Sequence, residues 1–120
     1  MAKYYCVRVW QVRAGEELEE LEELAGSGLA EMQRWIPGVE GMELVRESSS
    51  TSEEGQRYMM MLTFRDQQAY MYWRQMEEEG LDFWERYAAV LTQWEQLSML
   101  VAEYAGEMVL DMAFDKENSA

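Results

Sequence analysis

Lys3-Tyr4-Tyr5-Cys6-Val7-Arg8-Val9-Trp10-Gln11-Val12 is the stretch on which the fold turns. Aromatic and β-branched residues crowd it, which is the composition of a strand. Side chains alternate along a strand, so Tyr5, Val7 and Val9 share one face and Tyr4, Cys6, Arg8 and Trp10 the other. Both faces carry large apolar groups, so both need cover. Helices of the same chain can shield one side of such a sheet, and the second side needs a partner; a homodimer is therefore expected. Which face meets the helices is open at this level.

Downstream, Ala14-Gly15 breaks the strand and a helix is predicted from about Glu16 to Ile36. Leu18, Leu21, Ala25, Leu29, Met32 and Ile36 recur at steps of three and four and form one stripe. The glutamates between Glu16 and Glu23 fill the opposite face and suit the positive end of the helix; they read as a solvated surface rather than a cation site. Gly26-Ser27-Gly28 keeps the apolar phase, so a kink or a short non-helical joint is expected there. Pro37-Gly38 ends the helix.

A second strand is predicted over Val39 to Glu47, with Val39 and Val45 on one face and Met42 and Leu44 on the other. Ser48 to Gly55 is polar and reads as a hairpin loop. The third strand, Gln56 to Arg65, sets Tyr58, Met60, Leu62 and Phe64 against Met59, Met61 and Thr63. The run Met59-Met60-Met61 invites a soft-metal reading, but successive strand residues point to opposite faces and their sulfurs cannot converge. Asp66 is a good N-cap for a helix carrying Ala69, Tyr70, Trp73 and Met76, which stops near Gly80. Asp82 is expected to cap another, with Phe83, Tyr87, Val90, Leu91, Trp94 and Leu97 on its stripe. Ser98 to Phe114 reads as a long last strand, bent at Gly106, and Asp115 to Ala120 as a frayed polar tail. Residues 1–114 thus make one domain.

Composition narrows the chemistry. The 120 residues include no histidine, which removes His-centred triads, the usual zinc sites, His-ligated haem and a His general base. A net charge of −14 opposes binding to a phosphate backbone, so no nucleic acid partner is expected. Cys6 is the single cysteine, so no intrachain disulfide forms; its neighbours Tyr5 and Val7 mark it as a buried strand cysteine rather than a reactive thiol. No run of apolar residues is long enough to span a membrane, and the opening residues alternate as a strand instead of forming a signal's apolar core. A cytoplasmic protein without metal or cofactor is expected.

The order β, α, β, β, α(α), β fits an α+β, ferredoxin-like βαββαβ domain, a four-stranded antiparallel sheet with helices on one face. Trp35-Ile36-Pro37-Gly38-Val39-Glu40-Gly41 resembles the helix-end PG-x-x-G lead-in to the second strand of the dimeric α+β barrel proteins, closest to the antibiotic biosynthesis monooxygenase-like group. Phe64-Arg65-Asp66-Gln67-Gln68-Ala69-Tyr70 is similar to that group's aromatic strand end, helix cap and small-residue helix start. The resemblance implies a homodimer whose sheets pack face to face, and a pocket between sheet and helices in each subunit. It also implies kinship with cofactor-free oxygenases that act on phenols and quinols. Trp73 stands where many relatives carry a His, Phe64 where Trp is common, and the one asparagine, Asn118, lies in the tail rather than the sheet.

The candidate ligand-binding residues are aromatic: Tyr70, Trp73, Phe83, Trp84 and Tyr87 on the helices, with Tyr58 and Phe64 on the third strand. Their faces suit a small planar aromatic ligand by stacking and burial, although the same rings also serve as core filling. Arg8, Arg57 and Glu103 are charges set within strands, and each must be paired, at an edge or in a polar cavity. Arg8 and Trp10, on one face, are the pair to watch. For an oxygenase, Arg8 or Arg57 would hold a phenolate and Tyr58, Tyr70 or Tyr87 would donate a hydrogen bond. The alternative is a non-catalytic dimeric module for ligand binding or assembly. An isomerase or lyase would need an acid and a base, for which Glu103 and Glu107 are the nominees.

Overall fold

The structure is a computed structural model that describes residues 2–48 and 55–115, and the side chains of these except 81–84. Its strands are β1 (Tyr4–Val12), β2 (Val39–Arg46), β3 (Arg57–Phe64) and β4 (Ser98–Glu107). They form one antiparallel sheet in the order β2-β3-β1-β4. The helical elements are α1 (Leu18–Leu24), a π-helical turn (Ala25–Leu29), α2 (Ala30–Arg34), α3 (Gln67–Glu79) and α4 (Leu81–Leu97). This is the ferredoxin-like α+β arrangement. β1 lies inside the sheet between β3 and β4, where both its edges are paired.

The even-numbered face of β1 is the one that meets the helices. Cys6 is fully buried there, and Tyr4 and Trp10 pack into the two halves of the core. On β3 the partners of these residues, Tyr58, Met60, Leu62 and Phe64, are all buried on the same side. The predicted helical stripe is buried against them: Leu21, Ala25, Leu29, Met32 and Ile36, with Leu18 packed alongside. The other face carries Val45, Met59, Val9 and Ala102 abreast in one row, and Glu43, Met61, Val7 and Tyr104 in the next. No element of the chain among the described residues covers it, and Tyr104 is 64% exposed.

Several local expectations are corrected. The joint at Gly26-Ser27-Gly28 stays helical, as a π turn, instead of leaving helical geometry. Ser27 Oγ donates to the Glu23 carbonyl there at 2.8 Å. Gly28 faces α4 so closely that a Cβ would sit 2.9 Å from Val90 Cγ1. The helical segment also begins at Leu18 and ends at Arg34, inside the predicted bounds. Val39 does not share a face with Val45. A bulge sets Val39 opposite Phe64 and Gly41 opposite Thr63, so Val39 turns to the helix side with Met42, while Val45 stays on the open face.

Asp66 does cap α3, accepting from the Ala69 N–H at 2.8 Å. Asp82, by contrast, lies within the first turn of α4, because Gly80 serves as C-cap of α3 and N-cap of α4 at once. A Cβ on Gly80 would be 2.6 Å from the Met76 carbonyl oxygen, so the tight joint requires glycine. The last strand ends at Glu107, not Phe114, because its partner β1 begins at Tyr4; the Met108 N–H to Lys3 carbonyl bond, 2.8 Å, is the final rung. Its irregularity falls near Val101, between Ala102 and Leu100, and Gly106 pairs regularly with Tyr5. The predicted loop at 48–55 and tail at 115–120 fall mostly outside the described residues.

Candidate functional site

Strand parity aims Arg8 and Trp10 at the helices, and the stripes of α2 and α4 bring Met32, Leu91 and Trp94 opposite them. These residues, with Leu29, Met60 and Leu100, wall a cavity of about 230 Å³ between sheet and helices. Its polar border is made by Arg8, Gln33, Glu77 and Glu95. Roughly 150 Å³ of dry space accommodates benzene, so this volume suits one or two fused rings. Trp10 and Trp94 meet edge to face, with centroids 5.5 Å apart at 83°. A larger depression along α3, around Tyr70, Met71, Arg74 and Glu78, is a more open surface groove.

One end of the cavity is closed by an ion cluster. Arg8 donates from Nη1 and Nη2 to the two oxygens of Glu77, at 2.7 and 2.6 Å, and from Nε to Glu103 at 2.6 Å. Arg74 donates to the other oxygen of Glu103 at 2.6 Å. The Arg8 guanidinium also lies 4.7 Å from the Trp73 ring centre. Burial works against the charge of Arg8, but the bonds and charges of Glu77 and Glu103 outweigh it and raise its pKa. Burial likewise opposes the charge of Glu103, yet Arg8 and Arg74 hold its carboxyl below the ordinary value. Two cations and two anions balance here, so the cluster adds no net charge to the cavity. Beside it, burial pushes the Cys6 thiol up to about 11, consistent with an inert core cysteine.

The sequence-nominated aromatics divide into two groups. Phe64, Tyr70 and Trp73 come together in one packed cluster with Tyr4: Tyr4 stacks on Tyr70 at 4.8 Å, and Phe64 lies 5.4 Å from both Tyr70 and Trp73. Trp73 Nε1 donates to Gln33 Oε1 at 2.8 Å. Tyr58 and Tyr87 are buried in the other half of the core. The Tyr58 hydroxyl donates to Glu22, which also receives Arg46. Burial first, then this bond, raises the Tyr58 pKa, and the bonds from Tyr58 and Arg46 lower that of Glu22. None of these five rings borders the cavity; among the nominated residues with described side chains Arg8 does, together with Trp10, its companion on that strand face. Arg57, in register with Gln11, belongs to the far face of the sheet. The side chains of Phe83 and Trp84 lie outside the described residues. Glu103 is ion-paired, and Glu107 pairs in register with Tyr4 at the strand end.

Sequence reasoning missed Trp94, Gln33 and Glu77. Trp94 stood in the α4 stripe as core filling, and only its meeting with Trp10 across the layers makes it a wall. Glu77 carried a usable signal: it follows Trp73 by one helical turn, so a carboxylate had to face the same sheet surface as Arg8.

No protein of curated function matches the chain. Among solved structures it is similar to SnoaB, a cofactor-independent oxygenase from Streptomyces nogalater, with TM-score 0.61 and 17% identity over 94% of this chain and 97% of that one. HapK from Hahella chejuensis superposes with TM-score 0.68 at 14% identity, covering 93% and 98% of the two chains. A dimeric ferredoxin-like protein from an uncultured marine organism gives TM-score 0.58 at 13% identity, covering 93% and 100%. These likenesses are of fold. The family model for antibiotic biosynthesis monooxygenases matches residues 3–79, which runs from β1 through α3 and takes in Arg8, Trp10, Gln33 and Glu77 of the cavity wall. With more than half its length under that match, the chain belongs to the antibiotic biosynthesis monooxygenase family.

Proposed function

We propose that the chain is a cofactor-independent oxygenase that acts, as a homodimer, on a small phenolic or quinol-like aromatic molecule. The observation that carries this reading is the 230 Å³ pocket between sheet and helices, with tryptophan, leucine and methionine walls and one polar end. Family membership and the likeness to a cofactor-independent oxygenase support it. The substrate supplies the electrons. Its anion passes one electron to dioxygen, the radical pair combines to form a carbon–oxygen bond, and one oxygen stays as a carbonyl. The other leaves as water with the hydrogens lost by the substrate. The residues hold the ring against the indole and aliphatic walls and limit the access of water to the radical pair. Arg8 borders this space with its charge balanced, so it orients a substrate oxygen rather than supplying net charge.

That balance also favours a second reading, a non-catalytic dimeric module that binds an aromatic ligand, since no surplus cation awaits a phenolate. Oxygen-electrode measurements with a panel of hydroquinones and anthrones separate the two. The oxygenase consumes one dioxygen per substrate above the uncatalysed rate; binding of the same compounds without oxygen uptake assigns the second role.

The homodimer reading rests on the uncovered sheet face and on the apolar segment after β4, where Val109, Leu110, Met112 and Phe114 are all exposed. Among the described residues no helix is long and apolar enough to cross a membrane; the cytoplasm is the proposed location.

A further inference from the structure

The four tryptophans whose side chains are described differ in one respect that follows the cavity. Trp73 and Trp35 do not border it, and their indole N–H groups donate to other side chains, the buried Trp73 to Gln33 at 2.8 Å and the exposed Trp35 to Glu31 at 3.0 Å. Trp10 and Trp94 do border it, and the Nε1 atoms of both are buried with no hydrogen-bond partner among the described residues. Trp94 is 2% exposed, so its donor is shielded from bulk solvent. Buried donors are rarely left unpaired, because each forfeits its hydration without return. An indole N–H donates only, so what completes it must be an acceptor. The polar groups of the border do not complete them: Arg8 carries donors only, the Glu77 oxygens receive Arg8, Gln33 Oε1 receives Trp73, and neither indole donates to Glu95.

We infer that the indole N–H groups of Trp10 and Trp94 are a donor pair for an acceptor oxygen on the aromatic ligand, the carbonyl of an aryl ketone or quinone or the corresponding phenolate. The ring of the ligand fills the apolar part of the cavity, and its oxygen lies where the two indoles meet. A neutral donor pair holds an oxygen in both its phenolate and carbonyl forms, which a matched ion cluster does not do by charge. This inference rests on the reading that the cavity takes an aromatic molecule.

The test compares 1-tetralone with tetralin, which share a skeleton and differ by one carbonyl, on the ¹⁵N-labelled full chain. The indole N–H resonances are assigned from Trp10→Phe and Trp94→Phe, which keep an aromatic ring and remove the donor. The ketone shifts the Trp10 and Trp94 indole signals downfield, and tetralin binds without doing so. Each Phe variant lowers ketone affinity roughly 5- to 20-fold more than it lowers tetralin affinity, the hydrocarbon reporting the loss of wall area alone. If either variant fails to fold, the wild-type shifts decide. Equal affinity for both compounds with neither signal moving downfield overturns the donor pair while leaving the cavity reading intact. Failure of both compounds to bind overturns the cavity reading and the inference with it.

Discussion

Arg8 and Glu77 face each other fork to fork, with parallel hydrogen bonds of 2.7 and 2.6 Å that tie the interior strand β1 to the last turn of α3. Both side chains are largely shielded, and Glu103 completes the arginine from β4. Removing one member of such a buried pair strands the other, which is more costly than the pair itself is worth. Arg8→Met leaves Glu77 without its partner and is expected to destabilise the fold by about 3 kcal/mol. Glu77→Gln leaves Arg8 held by Glu103 and costs about 1–2 kcal/mol. Denaturant melts of the two variants check the order, and an Arg8→Met protein as stable as wild type would show that the cluster does not hold the layers together.

The same cluster sets an acid limit. Burial resists the charge of Glu103, but Arg8 and Arg74 overcome it and hold the carboxyl below its ordinary value of 4.5. The folded protein therefore binds this proton less readily than the unfolded chain. The stabilisation is complete above about pH 4.5 and is lost as the pH falls through the lower folded value. Melting temperatures across this range should fall for the wild type and fall less steeply for Glu103→Gln. Parallel curves for the two proteins would remove Glu103 from the acid transition.

How much of this was legible in the sequence depends on the range of the interaction. The sheet, its helix face on β3 and the helical stripe from Leu18 to Ile36 follow from alternation and period alone. Asp66 announced its cap three residues ahead. Val39 misled because a bulge inserts one residue, and a slip of one turns a strand side chain to the other face. Phe114 misled because apolar alternation continues past Glu107, whereas the partner strand stops. The site was harder still. Arg8 and Trp10 were visible as neighbours on one face, but the cavity exists only where β1, α2 and α4 converge, and no single segment shows that Trp94 faces Trp10. The nominated rings were chosen for their chemistry, and five of the seven are packed into the core.

Gly28 looks like a helix breaker in the sequence and acts as a spacer in the structure. A Cβ there would lie 2.9 Å from Val90 Cγ1 and 3.1 Å from Leu24 Cδ1, closer than packed atoms tolerate. Gly28→Ala should therefore destabilise by about 1–3 kcal/mol despite the better helix propensity of alanine. Trimming the neighbour tests the cause: in a Val90→Ala background the added methyl has room, and the penalty should shrink or reverse. A penalty of the same size in both backgrounds would place the reason in the π turn itself.

The uncovered sheet face makes the last prediction, because it can be attacked without touching the core. Tyr104 lies abreast of Val7 and Met61 on that face, and none of the three contributes to the buried clusters under the helices. A charge placed there has no penalty in a monomer, where the position is exposed, but must be desolvated against an apolar partner surface. Tyr104→Glu should leave the far-ultraviolet spectrum and melting cooperativity of the isolated chain unchanged and shift its mass by light scattering from dimer to monomer. Cutting the chain after Met108 removes Val109, Leu110, Met112 and Phe114, side chains that stand exposed beyond the last paired rung, and should weaken the dimer in the same assay. If wild type and Tyr104→Glu both run as monomers at micromolar concentration, the open face is not a self-association surface.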